Sequence, residues 1–164
     1  MTSLVIVAHA PLATAMLAVA RHVFAERADA VVAVDVAADC SPEQAEQLIG
    51  EAVGRVARPA GANDPNATGG EGGGEVLILA DVFGATPCNA AQRVADGVRV
   101  RLVAGLNVPM LWRAMAYGHL PLDGLIERAL AGGAQGVMPA SPQKPQDQPL
   151  HSQAHDPSHS HHQQ

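Results

Sequence analysis

The stretch LVIVAHAPLA, residues 4–13, decides how the rest of the chain is read. Its first five residues are apolar, and Val5, Ile6 and Val7 are β-branched. A short unbroken run of this kind reads as a strand buried on both faces. The run stops at one polar ring, His9. Pro11 follows, and then Leu12, Met16, Val19, Ala20 and Val23 fall on one face at helical spacing. The segment therefore predicts a buried strand, a prompt turn and a helix, with a histidine left at the strand's carboxyl end.

The same rhythm continues downstream. VVAVDV (31–36) reads as a second strand. Ser41-Pro42-Glu43-Gln44 has serine at the N-cap, proline at the first helical position and glutamine three residues after the cap, which is a capping box. That helix is expected to run to about residue 57. VLILA (76–80) is a third strand, 87–96 a third helix, and VRVRLVAG (98–105) holds a fourth strand. Further helices are expected near Pro109 and Pro121. Alternation of this type predicts an α/β fold: an open, mostly parallel, doubly wound sheet with helices on both faces. Residues 1–138 form the expected domain. PAGANDPNATGGEGGGE (59–75) reads as a flexible loop within it, and residues 139–164 as a disordered, His-rich tail. The tail's His151, His155, His159, His161 and His162 have no fixed geometry, and no metal site is assigned to them.

Composition excludes several functions. The 164 residues include 10 Lys+Arg and carry a net charge of −6, with no basic stripe for a nucleic acid. No apolar run approaches the ~20 residues of a membrane span, and the start of the chain lacks a secretory signal pattern. Two cysteines, Cys40 and Cys88, fit a cytoplasmic protein with reduced thiols. Cys88 reads as a small buried side chain. Aromatic residues are 2% of the chain, so Ala, Val, Leu and Ile must build the core.

In an open parallel sheet, chemistry gathers beyond the carboxyl ends of the strands. Two strand ends here carry titratable groups, His9 and Asp81. If Asp81 accepts a hydrogen bond from one ring nitrogen, it fixes the tautomer and leaves a nucleophilic lone pair on the other. After Asp81, Gly84 permits a tight turn, Thr86 suits an N-cap and Pro87 a first helical residue. Such a turn aims backbone N–H groups at an anion, for example a phosphoryl group. Each residue alone also fits a purely structural role. A phosphatase-like hydrolase is less well supported, because neither loop supplies an Arg or Lys to grip a phosphate.

These segments resemble the mannose-type enzyme IIA domain of the bacterial phosphoenolpyruvate-dependent sugar phosphotransferase system. LVIVAHAPLA resembles its phosphorylation segment, VLILADVFGATPCNAA its strand-3 motif, and AGLNVPML its strand-4 loop. The resemblance implies that His9 takes a phosphoryl group from the phosphocarrier protein HPr and passes it to an enzyme IIB partner. It implies that Asp81 orients His9, that Gly84, Ala85 and Thr86 bind the phosphoryl oxygens, and that no metal or other cofactor takes part. It also implies a homodimer, with GAQGVMPA (133–140) the candidate for a C-terminal strand exchanged between subunits. Two features depart from the pattern: residues 59–75 are unusually long and Gly-rich, and Ala10-Pro11 follows His9 where many relatives carry Gly. The alternative is a stand-alone regulatory module whose partner binding depends on His9 phosphorylation.

Overall fold

The computed structural model describes residues 1–57 and 74–140. The elements run β1 (Ser3–His9), α1 (Leu12–Val23), α2 (Ala25–Ala28), β2 (Val31–Val36), α3 (Pro42–Val56), β3 (Val76–Ala80), α4 (Thr86–Val94), β4 (Val100–Ala104), α5 (Val108–Ala116) and α6 (Leu122–Gln135). All three strand pairings are parallel, and the sheet order is β2-β1-β3-β4. The expected parallel α/β sheet is therefore the observed one. Most of the expected loop 59–75 and nearly all of the tail 139–164, its histidines included, lie outside the described residues.

The unbroken apolar strands follow from burial on both faces. Leu4, Ile6 and Ala8 of β1 and Leu77 and Leu79 of β3 pack under α1, α5 and α6, against Met16, Leu17, Leu111 and Leu125. The alternate residues Val5, Val7, Val76 and Ile78 pack under α3 and α4, against Ile49, Val53, Ala90 and Ala91. Each fully buried aliphatic side chain contributes about 1.5–3 kcal/mol.

Local signals set the helix ends. At α3 the capping box forms: the Gln44 N–H donates to Ser41 Oγ (3.2 Å) and the Ser41 N–H to Gln44 Oε1 (2.9 Å). At α5 Asn107 Oδ1 accepts the Met110 N–H at 2.9 Å. Two expectations change. The helix expected over 12–25 ends at Val23, and a single short turn, α2, follows. The strand expected over 133–140 is not formed: α6 continues to Gln135, and residues 137–140 have no regular structure. The glycines at the end of α6 serve close helix packing. Gly132 and Gly133 are buried, and α6 lies so near α5 that added methyl groups would strike Arg113 and Met110.

Packing and propensity oppose each other at two glycines, which gives a paired prediction. Gly54 of α3 is exposed, and a Cβ there meets nothing within 4 Å. Gly54→Ala should stabilise the fold by about 0.5–1 kcal/mol. A Cβ at Gly136 would collide with the Pro109 ring, and Gly136→Ala should cost about 1–3 kcal/mol. Urea unfolding of both variants checks this; shifts of the same sign would contradict the described α5–α6 packing.

Candidate functional site

The strand order places the site. From β1 the chain moves to β2 on one side, then crosses to β3 on the other, so order reverses between β1 and β3. Ligand crevices open at such a point, beyond the carboxyl ends of the strands. His9 is the last residue of β1, and Asp81 immediately follows β3. The two are 72 residues apart in sequence, yet His9 Nδ1 lies 2.6 Å from Asp81 Oδ2.

Asp81 binds more than the ring. Its Oδ2 also accepts the His9 backbone N–H at 2.9 Å, and its Oδ1 accepts the Val82 N–H at 2.7 Å. The carboxylate side chain is 8% exposed and the imidazole 52%. Burial pushes the Asp81 carboxyl up, but the hydrogen bonds from the His9 backbone, the His9 ring and the Val82 backbone outweigh it, aided by the charge of the ring when it is protonated. The group is held below the ordinary carboxylate value. An ionised carboxylate only accepts, so Nδ1 must be the donor. Nε2 of the neutral ring then carries the lone pair.

The following turn has the expected glycine in the left-handed region, Gly84 at φ +85°. Asn89 reaches back from α4 and donates Nδ2 to the Gly84 carbonyl at 2.8 Å, a tie that sequence reasoning did not assign. The expected cap is displaced by one residue. Ala85, not Thr86, is the N-cap; Thr86 is the first residue of α4, and Pro87 is buried behind it. Ala85 has no side-chain acceptor, so the start of α4 carries no side-chain cap. The Thr86 hydroxyl takes no part in capping, and Gly84 and Thr86 are exposed.

Neither cysteine is hydrogen-bonded to this pair. Cys88 is fully buried, as read from the sequence, and Cys40 is partly buried. Tyr117 stacks under the Arg128 guanidinium at 5.2 Å from the ring centre. Among the described residues no group of three His, Cys, Asp or Glu side chains is placed to hold a metal ion. No described helix is long and apolar enough to cross a membrane.

Comparison with known proteins bears on this arrangement. The profile of the EIIA-man family, described as PTS system fructose IIA component, matches residues 66–129. That range holds Asp81 and the Gly84–Thr86 turn and begins after His9. The chain is 38% identical over 69 residues to the PTS system fructose-specific EIIA component of Bacillus subtilis (strain 168), covering 41% of this chain and 47% of that protein. It is 42% identical over 65 residues to the PTS system mannose-specific EIIAB component of Escherichia coli (strain K12), covering 38% of this chain and 20% of that one. The chain thus spans less than half the length of these relatives. The fold is that of the mannose/sorbose specific IIA subunit of the phosphotransferase system from Enterococcus faecalis, with a TM-score of 0.71 at 23% identity over 87% of this chain and 97% of that one. It is also that of phosphotransferase system component EIIA from Streptococcus agalactiae, with a TM-score of 0.68 at 19% identity over 85% and 97%.

The lowered Asp81 value has a consequence for acid stability. A carboxyl whose folded value lies below its unfolded one stabilises the fold fully above the ordinary value of 3.8. That contribution disappears as pH falls through the folded value. Asp81→Asn should therefore melt lower than the parent at pH 7 and lose less further stability below about pH 4. Thermal melts across the acid range check this; parallel curves for the two proteins would contradict the described hydrogen bonding.

Proposed function

We infer that this chain, a relative of the mannose-type enzyme IIA components of the sugar phosphotransferase system, is a phosphohistidine carrier. His9 accepts the phosphoryl group from HPr and passes it to an enzyme IIB partner in the cytoplasm. The observation that carries this reading is the 2.6 Å contact between His9 Nδ1 and Asp81 Oδ2 on an otherwise half-exposed ring. It leaves Nε2 as the ring's nucleophilic atom.

In the proposed step the Nε2 lone pair attacks phosphorus on the donor's phosphohistidine. The new N–P bond forms as the donor's N–P bond breaks, and that bond's electron pair returns to the donor ring. His9 keeps its Nδ1 proton throughout. Its ring becomes cationic, and the buried Asp81 carboxylate balances the charge. Gly84, Ala85 and Thr86 hold the phosphoryl oxygens through the uncapped start of α4, where the helix dipole favours an anion. The Thr86 hydroxyl, released from capping, adds a donor. Transfer to enzyme IIB repeats the exchange with His9 as the leaving group. No cofactor is needed for this exchange.

The chain is also proposed to act as a homodimer. Val98, Val137 and Met138 are 76%, 78% and 72% exposed, and β4 is an edge strand, which supports pairing of residues 137–140 with β4 of a second copy. Sedimentation should then give a dimer, and Val137→Asp combined with Met138→Asp should shift it to monomer.

The function is tested with phosphoenolpyruvate, enzyme I and HPr. The parent should take up acid-labile, base-stable phosphate, and His9→Ala none. Labelling of His9→Ala at the parental level sinks the reading. Asp81→Asn keeps the shape but exchanges a charge-assisted hydrogen bond for a neutral one, a loss of about 1–1.5 kcal/mol. Its initial labelling rate should fall about tenfold.

A further inference from the structure

Asp35 interrupts the apolar run of β2 and pairs in register with Ala8, the residue before His9. Its partly buried carboxylate faces the first turn of α1. Oδ1 accepts the Ala13 N–H at 2.8 Å and the Thr14 N–H at 3.2 Å, and Oδ2 accepts the Thr14 hydroxyl. α1 has no cap of its own, because Pro11 holds the cap position and makes no side-chain cap bond. Asp35 thus caps α1 from the neighbouring strand. The next residue of β2 holds the other end of the same connection: the Val36 carbonyl accepts the Ala10 N–H at 3.0 Å. Ala10 and Pro11, which join His9 to α1, are thus flanked on both sides by bonds to β2.

We propose that Asp35 is a positioning residue for His9: its bonds to the α1 start fix the connection that aims the ring at the site. The inference rests on His9 being the phosphoryl acceptor. A helix N-terminus carries about half a positive charge, and two helices, α1 and α4, start just beyond the strand ends that hold His9 and Asp81. At α1 the Asp35 side chain already takes the free N–H groups of the first turn. At α4 no side chain does. An arriving phosphoryl group therefore meets one open helix start, on the Asp81 side of the ring.

The test pairs Asp35→Ala with Asp35→Asn and reads two quantities in variants shown to be folded by circular dichroism. The first is the His9 labelling rate. The second is the nitrogen NMR signature of the His9 ring, which reports the population protonated at Nδ1. Asn keeps a carbonyl acceptor for the two N–H groups, and should hold both readouts near the parent. Ala removes every acceptor and should slow labelling by about 10–100-fold, the scale of a misplaced reacting group, with a changed ring signature. A merely structural cap would lower the melting temperature and leave ring and rate unchanged. That result overturns the proposal, as does an equal loss in both variants, which would make charge and not the bond set responsible. If Asp35→Ala does not fold, Asp35→Val, which suits a strand and accepts no hydrogen bond, removes the same acceptors and must still move the ring resonances; an unchanged spectrum overturns the proposal. The spectra need no phosphoryl donor. A parent that takes no label therefore defeats the carrier reading without deciding the Asp35 arm, which the ring signature decides by itself.

Discussion

The carboxylate of Asp81 joins two strands that the chain visits 72 residues apart. It accepts the backbone and ring N–H groups of His9 on one side and the Val82 N–H on the other. A buried carboxylate without partners is costly. Here three donors more than offset the desolvation, and the group stays ionised. The ionised state in turn dictates the imidazole tautomer. A single protonation preference thus sets which ring nitrogen faces out, and the reading of the site depends on it.

The electrostatics of the two neighbouring helices complete this picture. α1 and α4 both begin at the carboxyl edge of the sheet, and both lack a side-chain cap of their own. The fold resolves the two differently. Asp35 fills the α1 start from β2, while alanine at the α4 cap position leaves that start without a side-chain acceptor. The shift of the cap from Thr86 to Ala85 gains meaning from this contrast. A threonine cap would have consumed its hydroxyl on its own helix; one position later the hydroxyl takes no part in capping.

Much of this was legible in the sequence because burial leaves strong marks. VLILA and VVAVDV became strands with the expected bounds, since β3 is buried along its whole length and β2 is bounded by turns. The Ser41 capping box formed because both halves of it are local. His9 and Asp81 were legible as strand-end residues, and the parallel order brought them together. What was missed is non-local. Asp35 looked like an ordinary polar residue in a strand, and its role exists only because β2 lies beside the start of α1. Asn89 acts through a turn whose closure the sequence does not announce. The expected strand over 133–140 gave way to helix, and the approach of α5 explains the glycines at its end.

The long segment after α3 departs from the resemblance in the sequence, and the sheet explains why it can do so without disturbing the site. It enters β3 at the amino end, and Asp81 lies five residues further on, past the opposite edge. At ~3.3 Å per residue the two are about 16 Å apart. The Gly74 N–H donates to the Ala57 carbonyl at 2.6 Å, so the chain on either side of the segment is tied together. Closing a longer loop between tied ends costs only about 0.6 kcal/mol per doubling of length. The position of Asp81 relative to His9 depends instead on the direct β1–β3 pairing, in which Val7 stands beside Ala80. Variation in the connection is therefore absorbed at one edge of the sheet, while the geometry of the His9–Asp81 pair is set at the other.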